Sequence, residues 1–387
     1  MRFIAFAPIL ALAACGGSRA VTPSGGSTGS SSSTGTTGTH TGSGGTTTGG
    51  GSTTTGGTTG GGCPRCPVGY SCGSANGTAV CRAPSGIPLF SHVFVIPMEN
   101  FSLSTLQGSD GGYSDTPYLA QLAARWATAS DYHGVAHPSL PNYIALTSGD
   151  VQGDVESIGC DCQPSGSSCN SFNCSALSGS CGCPQAVPNL ADDLEDAGIG
   201  WRAYAEDMGS ACNLTASGSY APKHVPFLYY QDIQSDAARC SQHDVDYGSF
   251  AADLAAGPPR FSFITPNLTD DMHDPACPQA GSQNLQNGDS WLQANVPAIL
   301  ASPAFGSEGL TVIVWDEDDC SGFSFGGTTD DPIGLFVISP LAKGAGYVSA
   351  VHADHYSLLA TIEDGLGLPR LGKAAQATPL TDFFPSK

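Results

Sequence analysis

From residue 87 onward, short continuous apolar runs alternate with longer segments of mixed polarity. The runs at 90–97, 201–205, 260–265, 310–315 and 333–338 are the length of strands and rich in β-branched and aromatic residues. Segments at 116–127, 189–197, 291–300 and 356–366 read as helices, with Asn189 suited to an N-cap and Gly198 to a stop. Buried strands alternating with helices predict an α/β fold: a doubly wound, mostly parallel sheet with helices on both faces. The stretch after residue 86 is long enough for one such core and carries no internal repeat.

Before residue 87 the pattern changes. Residues 16–62 are almost wholly Gly, Ser and Thr, too poor in apolar surface to offset the entropy of ordering, and are expected to form a disordered tether. Ahead of it, Arg2 and the apolar stretch after it read as a secretion signal, too short to span a bilayer as a stable anchor. It ends in Leu12-Ala13-Ala14-Cys15, which resembles a bacterial lipobox and makes Cys15 the expected lipidation site; an ordinary cleaved signal is the alternative. Gly16 and Gly17 carry no inner-membrane retention signal, so an exported chain lipid-anchored to the cell envelope, at the outer membrane, is expected. No later segment reads as a transmembrane helix.

The chain has 15 cysteines, and setting Cys15 aside leaves an even number, as disulfides in an oxidising compartment require. Cys63, Cys66, Cys72 and Cys81 predict a small unit over 63–85 held by two bridges. The crowd from Cys160 to Cys183 has spacings unlike common zinc modules, which favours disulfides there too. Acids outnumber bases, 34 to 13, for a net charge of −21. That field repels nucleic acid and anionic membrane surfaces, and it repels a phosphate substrate unless a cation reverses the sign locally.

Three apolar runs lead directly into polar clusters. The first ends in Glu99-Asn100, the second in Pro266-Asn267 through Asp271-Met272-His273, the third in Asp316-Glu317-Asp318-Asp319. Ligand sites of open α/β sheets lie at the carboxyl ends of strands, so these groups are expected to meet. Converging carboxylates repel one another unless a cation is bound. A further segment, His137-Pro138-Ser139-Leu140-Pro141-Asn142-Tyr143, sets a serine at the start of a helix, where it serves as a cap or as a nucleophile beside free N–H groups.

These segments, with Tyr220-Ala221-Pro222-Lys223-His224-Val225-Pro226-Phe227 and the His355 to Asp364 stretch, together resemble the bacterial phosphoesterase family in the correct order over 88–372. That family contains acid phosphatases and phospholipases C and belongs to the alkaline-phosphatase superfamily, which implies an alkaline-phosphatase-like domain over 86–387. The resemblance implies that Glu99, Asn100, Ser139, Asp316 and Glu317 bind a metal, with Ser139 as the transiently phosphorylated nucleophile. It implies that His224 and His273 contact the substrate phosphate or assist the leaving group, and it leaves Asp271 and His355 without a definite role. Glu317 stands where a relative can carry Asp, and its extra methylene moves the ligand oxygen. Mainly oxygen donors favour Ca, Mg or Mn, with nearby imidazoles leaving Zn or Fe open.

The leading expectation is metal-dependent hydrolysis of phosphate monoesters through a phosphoserine. A phospholipase C-type phosphodiesterase is the alternative; the chain is shorter than a family phospholipase with extra C-terminal domains. A non-catalytic surface binding protein, suited to a tether and a Cys-rich knob, is a third reading that the intact ligand set disfavours. The expected partners are a phosphate ester substrate and a membrane reached only through the N-terminal lipid, with no nucleic acid and a monomeric chain. His133 and His137 are expected to shape the nucleophile loop, and Asp318 and Asp319 to be solvated or supporting groups.

Overall fold

Five strands predicted by the apolar runs stand side by side as the middle of one sheet. In chain order the strands are β1 (Ser71–Ala75), β2 (Thr78–Arg82), β3 (Val93–Met98), β4 (Ala127–Ala129), β5 (Tyr132–His133), β6 (Trp201–Ala205), β7 (Asp244–Asp246), β8 (Phe261–Thr265), β9 (Leu310–Trp315), β10 (Leu335–Ile338), β11 (Val348–Ser349) and β12 (Ala353–Asp354). The main sheet runs β11-β4-β10-β9-β3-β8-β6-β7, so the predicted strands fill β10 through β6 without interruption. Its pairings are parallel except around β10, which runs antiparallel to both β9 and β4. Every residue of β3, β8, β9 and β10 is buried, as a sheet covered on both faces requires. The expected α/β architecture with a mostly parallel sheet is what the chain adopts.

This computed structural model describes residues 63, 65–151, 161, 163–164, 184–276, 280–318 and 331–386, all within the compact unit Thr58–Lys387. The expectations for the signal segment, Cys15, the tether, Asp319 and the cysteines 160, 162, 169, 174, 181, 183, 277 and 320 lie outside the described residues.

The helices that bear on the site are α1 (Pro117–Arg125), α2 (Ser139–Ser148), α3 (Leu190–Asp196), α4 (Ser282–Ala301) and α5 (His355–Leu366). The Asn189 side chain caps α3 by accepting from Ala191 and Asp192 N–H groups. Gly288 in α4 is fixed by close approach: a Cβ there would lie 2.6 Å from Met272 Cε and 2.9 Å from Met98 Cε. Met98 precedes Glu99 and Met272 separates Asp271 from His273, so this contact seats two of the polar clusters. No helix among the described residues is long and apolar enough to cross a membrane.

Cys63–Cys72 and Cys66–Cys81 close the small N-terminal unit, and Cys212–Cys240 joins the loop after β6 to the helix before β7. The β1–β2 hairpin turns at Asn76-Gly77, both at positive φ, as a two-residue turn demands. It rests on the larger part of the fold: Asn76 Nδ2 donates to the Pro340 and Ala342 carbonyls at 2.8 and 2.7 Å, and Tyr70 OH to the Asp364 carbonyl at 2.6 Å.

Candidate active site

Strands β8, β3 and β9 are parallel neighbours, so their carboxyl ends open at one place. The backbone stitches the three loops together there: Glu99 N–H donates to the Asp271 carbonyl at 2.9 Å, and Asp316 N–H to the Met98 carbonyl at 3.0 Å. Asn100, in the left-handed region at φ 58°, turns the chain and gives its N–H to Asp316 Oδ1 at 3.1 Å. Helix α2 brings the fourth cluster. Asn142 shapes the loop before it, accepting from Val135 and Ala136 N–H groups at 2.9 and 3.1 Å and donating to the Ala136 carbonyl at 2.8 Å.

Ser139 is the first residue of α2 and is buried. Its hydroxyl has two carboxylate acceptors, Glu99 Oε2 at 2.9 Å and Glu317 Oε1 at 3.3 Å. A single O–H hydrogen serves one at a time. Four residues on, Tyr143 OH donates to Glu99 Oε1 at 2.6 Å, and Asn100 Nδ2 reaches Glu99 Oε2 at 3.3 Å. His137 sits between Glu317 Oε2, in a very short contact, and Asp318 Oδ1 at 3.1 Å. Hydrogen bonds thus link Glu99, Asn100, Ser139, Asp316 and Glu317, the five residues expected to hold a metal, as neighbours. The longer Glu317 side chain spans from the serine to His137. Asp318 is buried beside His137, a supporting group rather than a solvated one.

Burial first pushes the Glu99, Asp316 and Glu317 carboxyls above their ordinary range; repulsion from Asp316 adds to it at Glu99 and repulsion from Glu317 adds to it at Asp316, whereas at Glu317 the bond from His137 opposes it. Asp316 Oδ2 is buried without a hydrogen-bond partner, although Oδ1 has one. Crowded acids with an unpartnered oxygen fit a cation-binding centre, and the donor set is mostly oxygen.

His224 is fully buried and stacks on the Tyr143 ring at a centroid distance of 5.1 Å. Its Nδ1 bonds Asp271 Oδ2 at 3.0 Å; its Nε2 lies 3.0 Å from Glu99 Oε1 but outside hydrogen-bond geometry. Burial, then the Lys223 charge, holds both His224 and His273 below the usual imidazole range. His273 is partly exposed: Nδ1 meets Asp274 Oδ1 at 2.8 Å and Nε2 meets Lys223 Nζ at 3.2 Å. Lys223 also donates to Asp161 Oδ2 at 2.8 Å, while Asp161 Oδ1 accepts the Leu140 N–H at the start of α2 at 3.0 Å. Ligand atoms of Glu99, His224 and His273 fall within 4.8 Å of one another, a donor combination around Glu99 that includes two imidazoles. His355, first residue of α5, is buried; its Nε2 donates to the Asp316 carbonyl at 2.7 Å and its Nδ1 bonds Tyr132 OH at 2.9 Å. It braces the Asp316 loop.

Sequence reasoning passed over Tyr143, Asp161 and the charge of Lys223. Tyr143 was legible, because residues four apart share a helix face with Ser139. Asp161 gave no local signal within its Cys-rich surroundings.

The family model described as the Phosphoesterase family matches residues 109–369. The chain is 30% identical over 304 residues to a phosphatidylinositol-3-phosphatase of Mycobacterium tuberculosis, covering 78% of this chain and 85% of that protein. It is 28% identical over 272 residues to a phosphate-repressible acid phosphatase of Penicillium chrysogenum, covering 66% of this chain and 55% of that one, so it spans about half of the fungal enzyme. A solved alkaline phosphatase superfamily protein from Vibrio parahaemolyticus aligns at a TM-score of 0.47 and 13% identity, over 76% of this chain and 72% of that chain.

Proposed function

The chain belongs to the Phosphoesterase family and is a phosphoric ester hydrolase; from that premise we propose that it removes phosphate from monoesters through a phosphoserine at Ser139. One observation carries the reading: the Ser139 hydroxyl at a helix N-terminus lies against Glu99 and Glu317, beside an Asp316 oxygen that has no partner. Glu99, Asn100, Asp316, Glu317 and the Ser139 oxygen are the residues that would hold a divalent cation. Such an ion would supply positive charge that lowers the hydroxyl pKa and offsets phosphoryl charge.

The chain's own groups account for the remaining chemistry. Ser139 Oγ passes its proton to Glu99 or Glu317 as it bonds to phosphorus, and the bond from phosphorus to the leaving oxygen breaks. Lys223 and the Leu140 N–H, which both now donate to Asp161, would attract the non-bridging oxygens once that carboxylate gives way to the phosphate. The Lys223–His273 pair, joined at 3.2 Å, would give a proton to the departing alkoxide, and His273 would then accept one from the water that cleaves the phosphoserine. His224, enclosed between Asp271 and Glu99, orients those carboxylates.

Monoesters are favoured over diesters because the relatives are named as phosphatases, one of them a phosphatidylinositol-3-phosphatase. Three disulfides among the described residues favour an oxidising compartment, in keeping with export and an anchor at Cys15 at the envelope. The 63–85 hairpin is a cap on the 86–387 domain. The test is hydrolysis of a chromogenic phosphomonoester, its matched diester and a phosphoinositide by purified protein, with and without chelator. Monoester turnover that chelator abolishes and added metal restores is expected; a large preference for the diester would overturn the monoesterase reading.

A further inference from the structure

Away from Ser139, ligating side chains converge on the short β5–β12 ribbon. Asp131 just ahead of β5, His133 within it and His352 just ahead of β12 bring one carboxylate oxygen and two imidazole nitrogens within 4.8 Å of one another. His133 Nε2 lies 2.7 Å from Asp131 Oδ1, and His352 Nδ1 lies 3.5 Å from the same oxygen. The two imidazole centroids are 5.0 Å apart.

The backbone beneath these side chains is hydrogen-bonded. Ala353 N–H donates to the Asp131 carbonyl at 3.0 Å, and Tyr132 and His133 pair in register with Ala353 and Asp354. Three donors are thus mounted on fixed chain, so closing on one ion costs side-chain rotation and little backbone ordering. Side-chain exposure rises from 15% at His133 through 39% at Asp131 to 71% at His352, which leaves solvent free to complete the coordination.

We propose that Asp131, His133 and His352 form a second metal site, for a zinc-class divalent transition ion. Two imidazoles and one carboxylate suit a borderline-soft cation, whereas the oxygen-dominated cluster at Ser139 suits a harder one. The site also has a mechanical reach. Tyr132, between Asp131 and His133, bonds His355, which bonds the Asp316 carbonyl, so an ion joining β5 to the turn before β12 stiffens the support of that loop.

The full chain, stripped of metal by chelator, is titrated with Zn²⁺ by calorimetry as wild type, as His352→Ala and as Asp316→Asn. The expected result is a zinc-binding event that Asp316→Asn retains and His352→Ala weakens by at least about tenfold, the scale on which even an outer-shell partner matters. His352 is exposed, so its variant should keep the zinc-free Tm and keep phosphatase activity in Mg²⁺ or Mn²⁺. Wild-type zinc affinity and stoichiometry in His352→Ala, or loss of all zinc binding in Asp316→Asn, would overturn the second site.

Discussion

Glu99 is the residue on which the site turns. It has no exposed surface, and it accepts hydrogen bonds from Ser139, Tyr143 and Asn100. A hydrogen bond to a charged group contributes about 1.5–3 kcal/mol. Tyr143→Phe, which keeps the ring that stacks on His224, is therefore expected to lower kcat roughly tenfold, since about 1.4 kcal/mol is a factor of ten. Steady-state kinetics of that variant, with kcat unchanged, would show that Glu99 does not need the phenol. At this scale the sequence was legible where the candidate residues follow strands directly, as Glu99 and Asp316 do. It was silent on Asp161, whose contacts to Lys223 and Leu140 depend on chain folded back from elsewhere.

At the scale of elements, packing sets the site and two helices make testable demands. Alanine is the better helix former, yet a Cβ at Gly288 would press on Met98 and Met272, which adjoin Glu99 and Asp271. Gly288→Ala is expected to cost about 1–3 kcal/mol of stability, the usual scale of overpacking, and to reduce activity at temperatures where the fold persists. Denaturant melts and kinetics check it; a stabilised, fully active variant would contradict it. Helix α5 carries the Glu363-Asp364 pair, and both acids are structural. Asp364 binds Arg370 at 2.9 and 2.6 Å, while Glu363 accepts the Leu371 N–H at 2.8 Å and leaves its other oxygen buried without a partner. Burial pushes the Glu363 carboxyl up to about 9. The folded form keeps a proton that the unfolded chain releases near its ordinary value. The stability from this group is therefore complete below that value and is lost as pH rises toward about 9, at no more than about 1.4 kcal/mol per pH unit. Glu363→Gln should flatten the fall of Tm between pH 5 and 9. An unchanged slope would assign the pH dependence elsewhere.

Across the whole molecule, the interior of the sheet was readable and its margins were not. Strands β3, β8, β9 and β10 are buried along their whole length because both faces are covered, and β6 departs from that only at Arg202. β4, β7 and β11 have two or three residues each, too few for any period, and the antiparallel direction of β10 follows from how the chain returns to the sheet. The same topology explains why three clusters distant in sequence meet at one end of β8, β3 and β9. The most direct measurement is mass spectrometry of protein mixed with excess phosphomonoester and quenched in acid during turnover. The account predicts a phosphoryl group on the peptide containing Ser139, absent when metal is removed beforehand. Sustained turnover by a Ser139→Ala variant, or phosphate on another residue in its place, would contradict it.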